Sequence, residues 1–453
     1  MPEMRRETDV ARSEFLRRTG ALGIAGAAAL GFPLLETRSV DAEALPPPKD
    51  VIAAGGGATI KIGHVDSFSG VYAAAGESQQ TGLEAALENA MKKNNRIKYV
   101  LVRGDDASKP ATGVNEEKRL VLQEKVDVTT GGLSSAVGLA VSATAQELGT
   151  LFIAIGTHDT NITGAKVNRA CFRTTASLQM LANATCPSLL KYGKKWYFIV
   201  ADYAFGTDGR DRFKKILLAH GGQVMGEDLH PLGATEYSSY MTKASNTEAD
   251  VMVFCNYGPD TQNSVNAFVR QGLHKRMKAG GILCGNEVAV GMPTEEIAGS
   301  LWGYIWGPDA GGARTKYIYD QIAPRAKSFP PNWRQYLGYI TGEVIVDRLN
   351  AAGTTDTEKL VKAIEGYKYD CGKTQPAVLR ECDHQAVQET YAGIILPKSK
   401  RRSEQEYFAI HDRVGGEFAA GSCSNPDSEA AHKIISSQRI PTREGYTPVT
   451  LKA

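Results

Sequence analysis

Short strand-like runs alternate with longer amphipathic runs through the first part of the chain, and this alternation limits the possible folds more than any other feature. The short runs are rich in β-branched residues, and the longer ones repeat apolar residues at helical spacing. Strands joined by helices in this way pair in parallel and are covered on both faces. The predicted strands are 59–65, 97–103, 126–130 and 151–155, and the predicted helices are 77–93, 111–125 and 136–148.

The same alternation starts again near residue 196. A chain of 453 residues is also too long for a single hydrophobic core. We therefore predict an α/β protein with two doubly wound parallel-sheet lobes. The second series comprises strands 196–200, 250–255 and 281–284 and helices 208–219 and 261–271, followed by a helix over 336–352 and a β-rich segment over 391–414.

The loops that follow the predicted strands are the places to look for a ligand, because open parallel sheets bind ligands beyond the carboxyl ends of their strands. The segment TTGGLSSAVGLA (129–140) is the most informative of them: a strand passes through a Gly-Gly turn into a helix. A helix start attracts anions, and the hydroxyls of Ser134 and Ser135 can donate to a carboxylate. The same serines also suit an ordinary N-cap, so both interpretations stand.

The amino terminus has the pattern of a signal peptide, residues 1–44. Five arginines precede an uncharged Ala- and Gly-rich stretch, and small residues surround Glu43. The segment RSEFLR (12–17) resembles a twin-arginine signal, but Ser13 stands at the second arginine position, so the Sec and Tat routes stay open. The pattern predicts export to the periplasm.

Seven cysteines in an exported chain leave at least one unpaired. Cys371 and Cys382 flank a predicted hairpin and are the best candidates for a disulfide. The cysteines and histidines show no metal-ligand spacing, and no cofactor motif is present. The formal charge of +2 argues against nucleic acid as a partner.

Catalytic motifs such as GxSxG, the P-loop and HExxH are missing from the sequence. Ser135 could act as a nucleophile with His158 as its base. However, a serine at the head of a helix suits holding an anion better than attacking a substrate. We therefore predict that the protein is not an enzyme.

Six motifs in the predicted ligand loops, taken in order, resemble those of the branched-chain amino-acid-binding proteins, the type I periplasmic binding proteins of ABC importers. The resemblance extends from about residue 60 to 418 and includes RECDHQ (380–385). The motifs are SFSGVYAAAGES (67–78), GGLSSAVG (131–138), IGTHDTNITG (155–164), DYAFGTDG (202–209), NYGPDTQN (256–263) and GNEVAVG (285–291).

The resemblance implies two lobes joined by three crossover segments, with the ligand in the cleft between them. The N-terminal lobe would comprise 58–177 and 309–370, and the C-terminal lobe with its tail 178–308 and 371–453. Trp302 and Trp306 would lie near the second crossover, where hinge packing is a better interpretation than ligand stacking.

The resemblance also implies a binding site. Ser135 would hold the ligand carboxylate, Tyr72 would cover the ligand, and Glu287 would pair with an ammonium group. His158 stands where amino-acid binders commonly have threonine, and Phe205 replaces a tyrosine. The complete predicted set is Tyr72, Ser134, Ser135, Thr157, His158, Phe205, Tyr257, Asp260 and Glu287, although Asp260 also suits a structural turn.

The predicted function is the capture of a small carboxylate-bearing solute and its delivery to an ABC permease, with the binding protein acting as a monomer. A Glu287–ammonium pair would make the ligand an amino acid, most simply a branched-chain one. A dominant role for His158 would favour aromatic or aliphatic acids. A sensor of the same fold, for a carboxylate or a urea-type amide, is the alternative.

Overall fold

The computed structural model describes residues 57–94, 96–326 and 330–451. The predicted signal peptide lies outside these ranges. Within them, the chain forms two large sheets and a small one, with helices packed around them. None of the helices in these ranges has the length and apolar character needed to cross a membrane.

The first sheet consists of five parallel strands: β1 (Ala58–Asp66), β2 (Ile97–Asp105), β3 (Val128–Gly131), β4 (Phe152–Ala154) and β5 (Cys171–Arg173). Their order across the sheet is β2-β1-β3-β4-β5. Strands β3 and β4 are buried along their whole length, as expected for a parallel sheet covered on both faces. Strands β1 to β4 confirm the prediction, whereas β5 is too short to show an alternating pattern.

The second sheet begins with five parallel strands: β6 (Lys195–Ala201), β7 (Gln223–His230), β8 (Val251–Cys255), β9 (Lys278–Gly281) and β10 (Leu301–Tyr304). The predicted strand 281–284 is wrong by three residues, because β9 ends at Gly281. The apolar residues 282–284 are fully buried but form the connection to the next loop. The apolar character of residues 282–284 correctly predicted that they are buried, but it did not show that they lie outside the strand pairing.

A small antiparallel sheet follows later in the chain, made of β11 (Lys368–Tyr369), β12 (Ala377–Leu379) and β13 (Ala386–Val387). Strands β14 (Thr390–Ile395) and β15 (Phe408–Val414) then complete the second sheet. Strand β14 pairs antiparallel with β10, and β15 pairs antiparallel with β14. The full order is β15-β14-β10-β9-β8-β6-β7, and the β-rich prediction for 391–414 is confirmed.

The α-helices of the described ranges are α1 (Ala73–Lys93), α2 (Pro110–Leu122), α3 (Ser135–Leu148), α4 (Leu178–Leu189), α5 (Ala204–Ala219), α6 (Ser238–Ser245), α7 (Pro259–Arg270), α8 (Asn286–Ala289), α9 (Thr315–Ile322), α10 (Trp333–Ala352), α11 (Thr357–Ile364), α12 (Gly416–Ala420) and α13 (Pro426–Ser437). Short 3₁₀ turns occur at Thr160–Thr163, Leu273–Lys275, Ala323–Arg325 and Lys398–Lys400. The six predicted helices correspond to α1, α2, α3, α5, α7 and α10.

Helix α10 begins three residues earlier than the predicted 336. Asn332 caps it and forms a reciprocal capping box with Gln335, a signal that the prediction missed. The helix packs closely along α1, and glycines make this approach possible. A Cβ atom on Gly82 would lie 1.8 Å from the carbonyl oxygen of Gln335, and one on Gly338 would lie 1.9 Å from that of Gln79.

The chain passes between the two large sheets after β5, after β10 and after β13, so three segments join the lobes. Trp306 lies at the second passage and stacks on Tyr336 of α10, with ring centroids 4.8 Å apart. Trp302 belongs to β10 and stacks on Phe254 inside the second lobe. Both indoles are therefore packing residues.

The end of the chain, predicted to belong with the second lobe, contacts the first sheet and its neighbours. Ala431 and Ile435 of α13 pack against Val167. The Arg443 guanidinium donates to the carbonyl oxygen of Val126, just before β3, at 2.6 Å. The tail thus covers the end of the first sheet that lies away from the ligand loops.

The predicted disulfide is wrong in one partner. Cys382 is bonded to Cys423, and Cys371 is a free, buried thiol whose sulfur lies 3.7 Å from the carbonyl oxygen of Gln375. Proximity in sequence favoured Cys371, but the fold brings back a cysteine 41 residues away. The bond links the loop after β12 to the segment that follows α12.

Candidate functional site

The helix start predicted from TTGGLSSAVGLA is formed by β3, a Gly-Gly turn and α3. Gly131 and Gly132 both have positive φ, and a Cβ atom on Gly131 would lie 2.0 Å from the carbonyl oxygen of Val65. Ser134 occupies the N-cap position, but its side chain makes no capping bond. Its hydroxyl and the first amides of α3 can therefore serve a ligand.

Ser135 and Thr157 connect this helix start to the next loop. The Ser135 hydroxyl accepts the amide N–H of Asp159 at 3.3 Å and keeps its own proton for another partner. The Thr157 hydroxyl donates to the carbonyl oxygen of Gly132 at 2.5 Å. Thr157, predicted as a ligand residue, thus stabilises the glycine turn in this structure.

Arg334, the second residue of α10, brings a buried positive charge to this helix start. Its side chain is 2% exposed. Gly156 lies between the guanidinium and Leu133, the residue before Ser134. A Cβ atom on Gly156 would be 2.9 Å from Arg334 Nη1 and 2.8 Å from Leu133 Cα, so the guanidinium and Leu133 are close to each other. Within the described ranges, no carboxylate lies at ion-pair distance from this guanidinium.

Neutral groups hold the Arg334 side chain in place. Its Nη1 donates to Gln79 Oε1 at 3.3 Å, and its Nε donates to the Tyr257 hydroxyl at 3.2 Å. The guanidinium also lies over the rings of Trp333 and Tyr257, 4.0 and 4.5 Å from their centroids. The sequence prediction missed Arg334 because it lies in no recognised motif and precedes the predicted start of the helix.

A buried polar chain supports both Arg334 and the helix start. Gln79 donates through Nε2 to Asp66 Oδ2 at 2.6 Å. Asp66 Oδ1 accepts the amide N–H of Leu133 at 3.0 Å, and His64 lies 3.1 Å from Oδ2. All these side chains are buried. Asp66 and Gln79 therefore fix the guanidinium and the turn before Ser134 relative to each other.

Rings from both lobes form a continuous group, here called the aromatic cage: Tyr72, His158, Tyr203, Phe205, Tyr257 and Trp333. Tyr72 lies 6.0 Å from Tyr257 and 6.4 Å from Tyr203, measured between ring centroids. Trp333 lies 5.8 Å from both Tyr257 and His158. Tyr203, Trp333 and Arg334 were absent from the predicted site, whereas the other cage members were in it.

Two hydroxyls join the cage across the lobes. The Tyr72 hydroxyl, from the loop after β1, lies 2.5 Å from that of Tyr203, from the loop after β6. Burial raises the pKa of both phenols, so both stay protonated. Phe205 stacks on Tyr203 and approaches His158. The lobes thus meet directly at the rings.

His158, a member of the cage, follows β4 and contacts Phe205 and Trp333. Its Nδ1 is 2.9 Å from the carbonyl oxygen of Ala176, and Nε2 has no hydrogen-bond partner within the described part of the chain. Burial, reinforced by the charge of Arg334, lowers the pKa of His158 well below its ordinary value. The imidazole is therefore neutral.

Glu287 and Asp260 supply acidic groups from the second lobe. Glu287 Oε1 accepts from the Tyr257 hydroxyl at 3.0 Å, and Asp260 Oδ2 accepts the amide N–H of Gly233 at 3.1 Å. Asp260 Oδ1 has no hydrogen-bond partner among the described residues, and Glu287 Oε2 makes no close hydrogen bond there but lies near the Trp333 indole N–H. Burial raises the pKa of Glu287 and raises that of Asp260 to about 7.

A second contact between the lobes lies beside the site. Asp208 of α5 accepts the amide N–H of Thr160 at 2.7 Å. Burial and the nearby charge of Asp208 raise the pKa of Asp159 to about 6. The structure therefore shows the lobes in mutual contact, with buried polar groups and rings between them.

Comparisons with known proteins agree with this architecture. Residues 59–397 match the periplasmic binding protein family. The Leu/Ile/Val-binding protein homolog 6 of Brucella melitensis is 25% identical over 329 residues, which cover 68% of this chain and 81% of that protein.

Two solved structures share the fold. The amino acid ABC transporter substrate-binding protein of Pseudomonas fluorescens Pf-5 aligns with a TM-score of 0.74 and 22% identity, covering 84% of this chain and 99% of that one. An ABC transporter solute binding protein of Rhodopseudomonas palustris BisB5, in complex with 3,4-dihydroxybenzoic acid, aligns with a TM-score of 0.70 and 20% identity, covering 79% and 98%.

The two-lobed fold, with the candidate site between the lobes, is the architecture of the periplasmic binding proteins. The chain belongs to the periplasmic binding protein family, whose members are solute-binding proteins of ABC transporters and not enzymes. The resemblance to Leu/Ile/Val-binding proteins is confirmed. Membership implies a periplasmic location, a small-molecule ligand and a permease partner.

Proposed function

We propose that this protein is the substrate-binding component of an ABC importer and that it captures a small aromatic carboxylate between its lobes. The observation that carries this proposal is Arg334, a buried cation with no carboxylate at ion-pair distance within the described ranges. A buried charge is costly unless it is paired. An anionic ligand would provide the missing partner.

The carboxylate of the ligand would lie at the start of α3. There, the helix dipole, the free hydroxyl of Ser134 and the neighbouring guanidinium all favour negative charge. The Ser135 hydroxyl can add a donated hydrogen bond, because it accepts from Asp159 and retains its proton. Ser134, Ser135 and Arg334 are therefore the proposed anion-binding residues.

The aromatic cage supports the aromatic half of the proposal. Its rings come from both lobes, so a ligand ring held among them would contact aromatic side chains of each lobe. Binding energy shared between the lobes would shift the protein towards the closed state, which is the form that a permease can recognise. A structural neighbour that holds 3,4-dihydroxybenzoic acid supports this ligand class.

An amino acid is the second candidate, and Glu287 is the observation that favours it. Its Oε2 makes no close hydrogen bond among the described residues and could accept from an ammonium group. The names of the curated relatives and of the Pseudomonas neighbour also point to amino acids. However, Glu287 must be ionised to pair with ammonium, and burial opposes its ionisation by raising its pKa.

A thermal-shift and calorimetric comparison tests the proposal. Protein freed of co-purified ligand by unfolding and refolding is titrated with benzoate, 4-hydroxybenzoate, phenylalanine and leucine. A ligand at 1,000 times its Kd stabilises the folded state by about 4 kcal/mol, which gives a clear shift. We expect the benzoates to bind. Binding of the two amino acids alone would establish the second candidate, and no binding of any probe would overturn both.

The importer role needs a cellular test. Uptake of radiolabelled benzoate by cells with and without this protein would measure delivery to a permease. We expect uptake to depend on the protein at micromolar substrate. Unchanged uptake alongside tight binding in vitro would favour a sensor of the same fold.

A further inference from the structure

The hydrogen bond made by His158 fixes which of its nitrogens carries the proton. Nδ1 lies 2.9 Å from the carbonyl oxygen of Ala176, and a carbonyl can only accept, so Nδ1 must donate. The ring is 1% exposed and contacts Phe205 and Trp333 of the cage. In a neutral imidazole, Nε2 is then an acceptor and nothing else.

The surroundings of the ring keep it neutral. Burial disfavours the charged form, and the two nearby arginines, Arg334 and Arg173, oppose a further positive charge. Nε2 therefore has no proton of its own to donate. Across the part of the chain that the structure describes, it also finds no donor. A buried acceptor in this condition lowers stability until a donor reaches it.

Two other acceptors of the site differ from His158 because each can take up a proton and become a donor. Glu287 Oε2 and Asp260 Oδ1 also make no close hydrogen bond among the described residues, but both carboxyl groups have raised pKa values. A carboxyl group that takes up a proton becomes a donor and no longer needs one from the ligand. The Nε2 of His158 has no such alternative.

We infer that His158 Nε2 accepts a hydrogen bond from a hydroxyl group on the ligand ring, so that this protein selects hydroxy-substituted aromatic carboxylates over those without a donor. The inference rests on the proposed function, because it assumes a ligand within the aromatic cage. Sites that hydrogen-bond a substrate hydroxyl discriminate strongly against analogues that lack it, since the site's polar group is then left unpaired.

The test measures one ratio, the Kd of a fluorobenzoate divided by that of the matching hydroxybenzoate. Fluorine is close to hydroxyl in size and carries no hydrogen to donate. The 3- and 4-substituted pairs are each titrated by calorimetry into the purified protein. In the wild type, we expect at least one ratio to be about ten or more.

Three variants assign that ratio to an atom. His158→Phe removes the acceptor and should bring the ratio close to one. His158→Gln can place an amide oxygen near the Nε2 position and should keep a ratio clearly above one. This variant also tests the inference if His158→Phe does not fold. Glu287→Gln changes the competing acceptor and should leave the preference for the hydroxylated ligand.

Each alternative result has its own meaning. Ratios near one in a wild type that binds both benzoates would overturn the inference and leave the proposed function standing. A preference that survives in His158→Phe but disappears in Glu287→Gln would assign the hydroxyl to Glu287 and overturn it as well. A wild type that binds no benzoate would overturn the proposed function and, with it, this inference.

Discussion

The two sides of the site differ in charge. The first-lobe side presents the start of α3 with Ser134 and Ser135, and Arg334 lies beside it on the helix that packs along α1. The second-lobe side presents the buried Asp260 and the half-buried Glu287, both with raised pKa values. One side attracts an anion, and the other offers carboxyl groups that favour the neutral form.

This difference shows how such a site can orient a small ligand. A molecule with one carboxylate has one favourable direction, with its charge towards α3 and its other end towards the carboxyl groups. The reverse orientation would bring the ligand carboxylate towards Asp260 or Glu287 and leave Arg334 unpaired, which is costly in a buried site. Changes to the first-lobe side should therefore affect affinity more than changes to the second.

The largest effect is expected at Arg334. Arg334→Met keeps much of the side-chain length and removes the charge, so the affinity for benzoate should fall by about 100-fold, as expected for losing a charge-assisted interaction. Calorimetry measures the loss. The matched control is Arg325→Met, because Arg325 pairs with Glu84 and Glu88 on the outer surface of α1 and should leave the Kd unchanged.

An equal loss in the two variants would mean that general electrostatics, and not a specific contact, attract the ligand. A fall of less than threefold in Arg334→Met would show that the buried guanidinium is a structural group held by Gln79 and Tyr257. Either result would remove the contrast between the two sides of the site.

The next effect is expected at Gln79, which supports Arg334 without being placed to touch the ligand. Gln79→Leu removes the bonds to Arg334 and Asp66, so affinity for benzoate should fall about tenfold. The control is Gln80→Leu, whose side chain pairs with Glu84. The melting temperatures of both variants should drop by similar amounts. A similar loss of affinity in both would show that Gln79 acts only through stability.

These two residues also show what the sequence could predict. Alternating strands and helices, with glycines at strand ends, located the sheets, the loops and the start of α3, because those signals are local. Tyr203 lies in the DYAFGTDG motif but was not chosen from it, whereas Arg334 and Trp333 could not be found in this way. Arg334 and Trp333 lie about 200 residues from Ser134 in sequence, and only the packing of α10 along α1 brings the guanidinium to the helix start.

The disulfide and Thr157 also show that contacts made by the fold could not be predicted from local sequence. Cys371 is close to Cys382 in sequence, but the bonded partner is Cys423. The fold places Cys423 beside Cys382 although 41 residues separate them in sequence. Thr157 was correctly placed in a loop at the sheet edge, but its hydroxyl faces the carbonyl of Gly132. Sequence position identifies a loop, whereas the direction of a side chain depends on its neighbours.

A smaller effect is expected from pH, through the contact between Asp159 and Asp208. Burial, together with the charge of Asp208 from the other lobe, raises the pKa of Asp159 to about 6. Separating the lobes would lower this pKa, so the closed form binds the proton more tightly and gains stability as pH falls through 6. Affinity for benzoate should therefore rise about threefold from pH 7 to pH 5.

Asp208→Asn isolates this contribution. The amide oxygen can still accept from Thr160, but the charge that raises the pKa of Asp159 is gone. The rise in affinity between pH 7 and pH 5 should shrink in this variant. Asp260 and Glu287 titrate equally in both proteins, so an unchanged rise would assign the pH dependence to them.

The smallest effect is expected at Glu287, on the second-lobe side. Glu287→Gln keeps an oxygen that can accept from Tyr257 and removes only the ability to ionise. Because burial already favours the protonated carboxyl, we expect the Kd for benzoate to change by threefold or less. A loss of tenfold or more for leucine, with benzoate unaffected or not bound, would show that an ionised Glu287 pairs with ammonium. The second-lobe side would then be a true anionic site, and the ligand an amino acid.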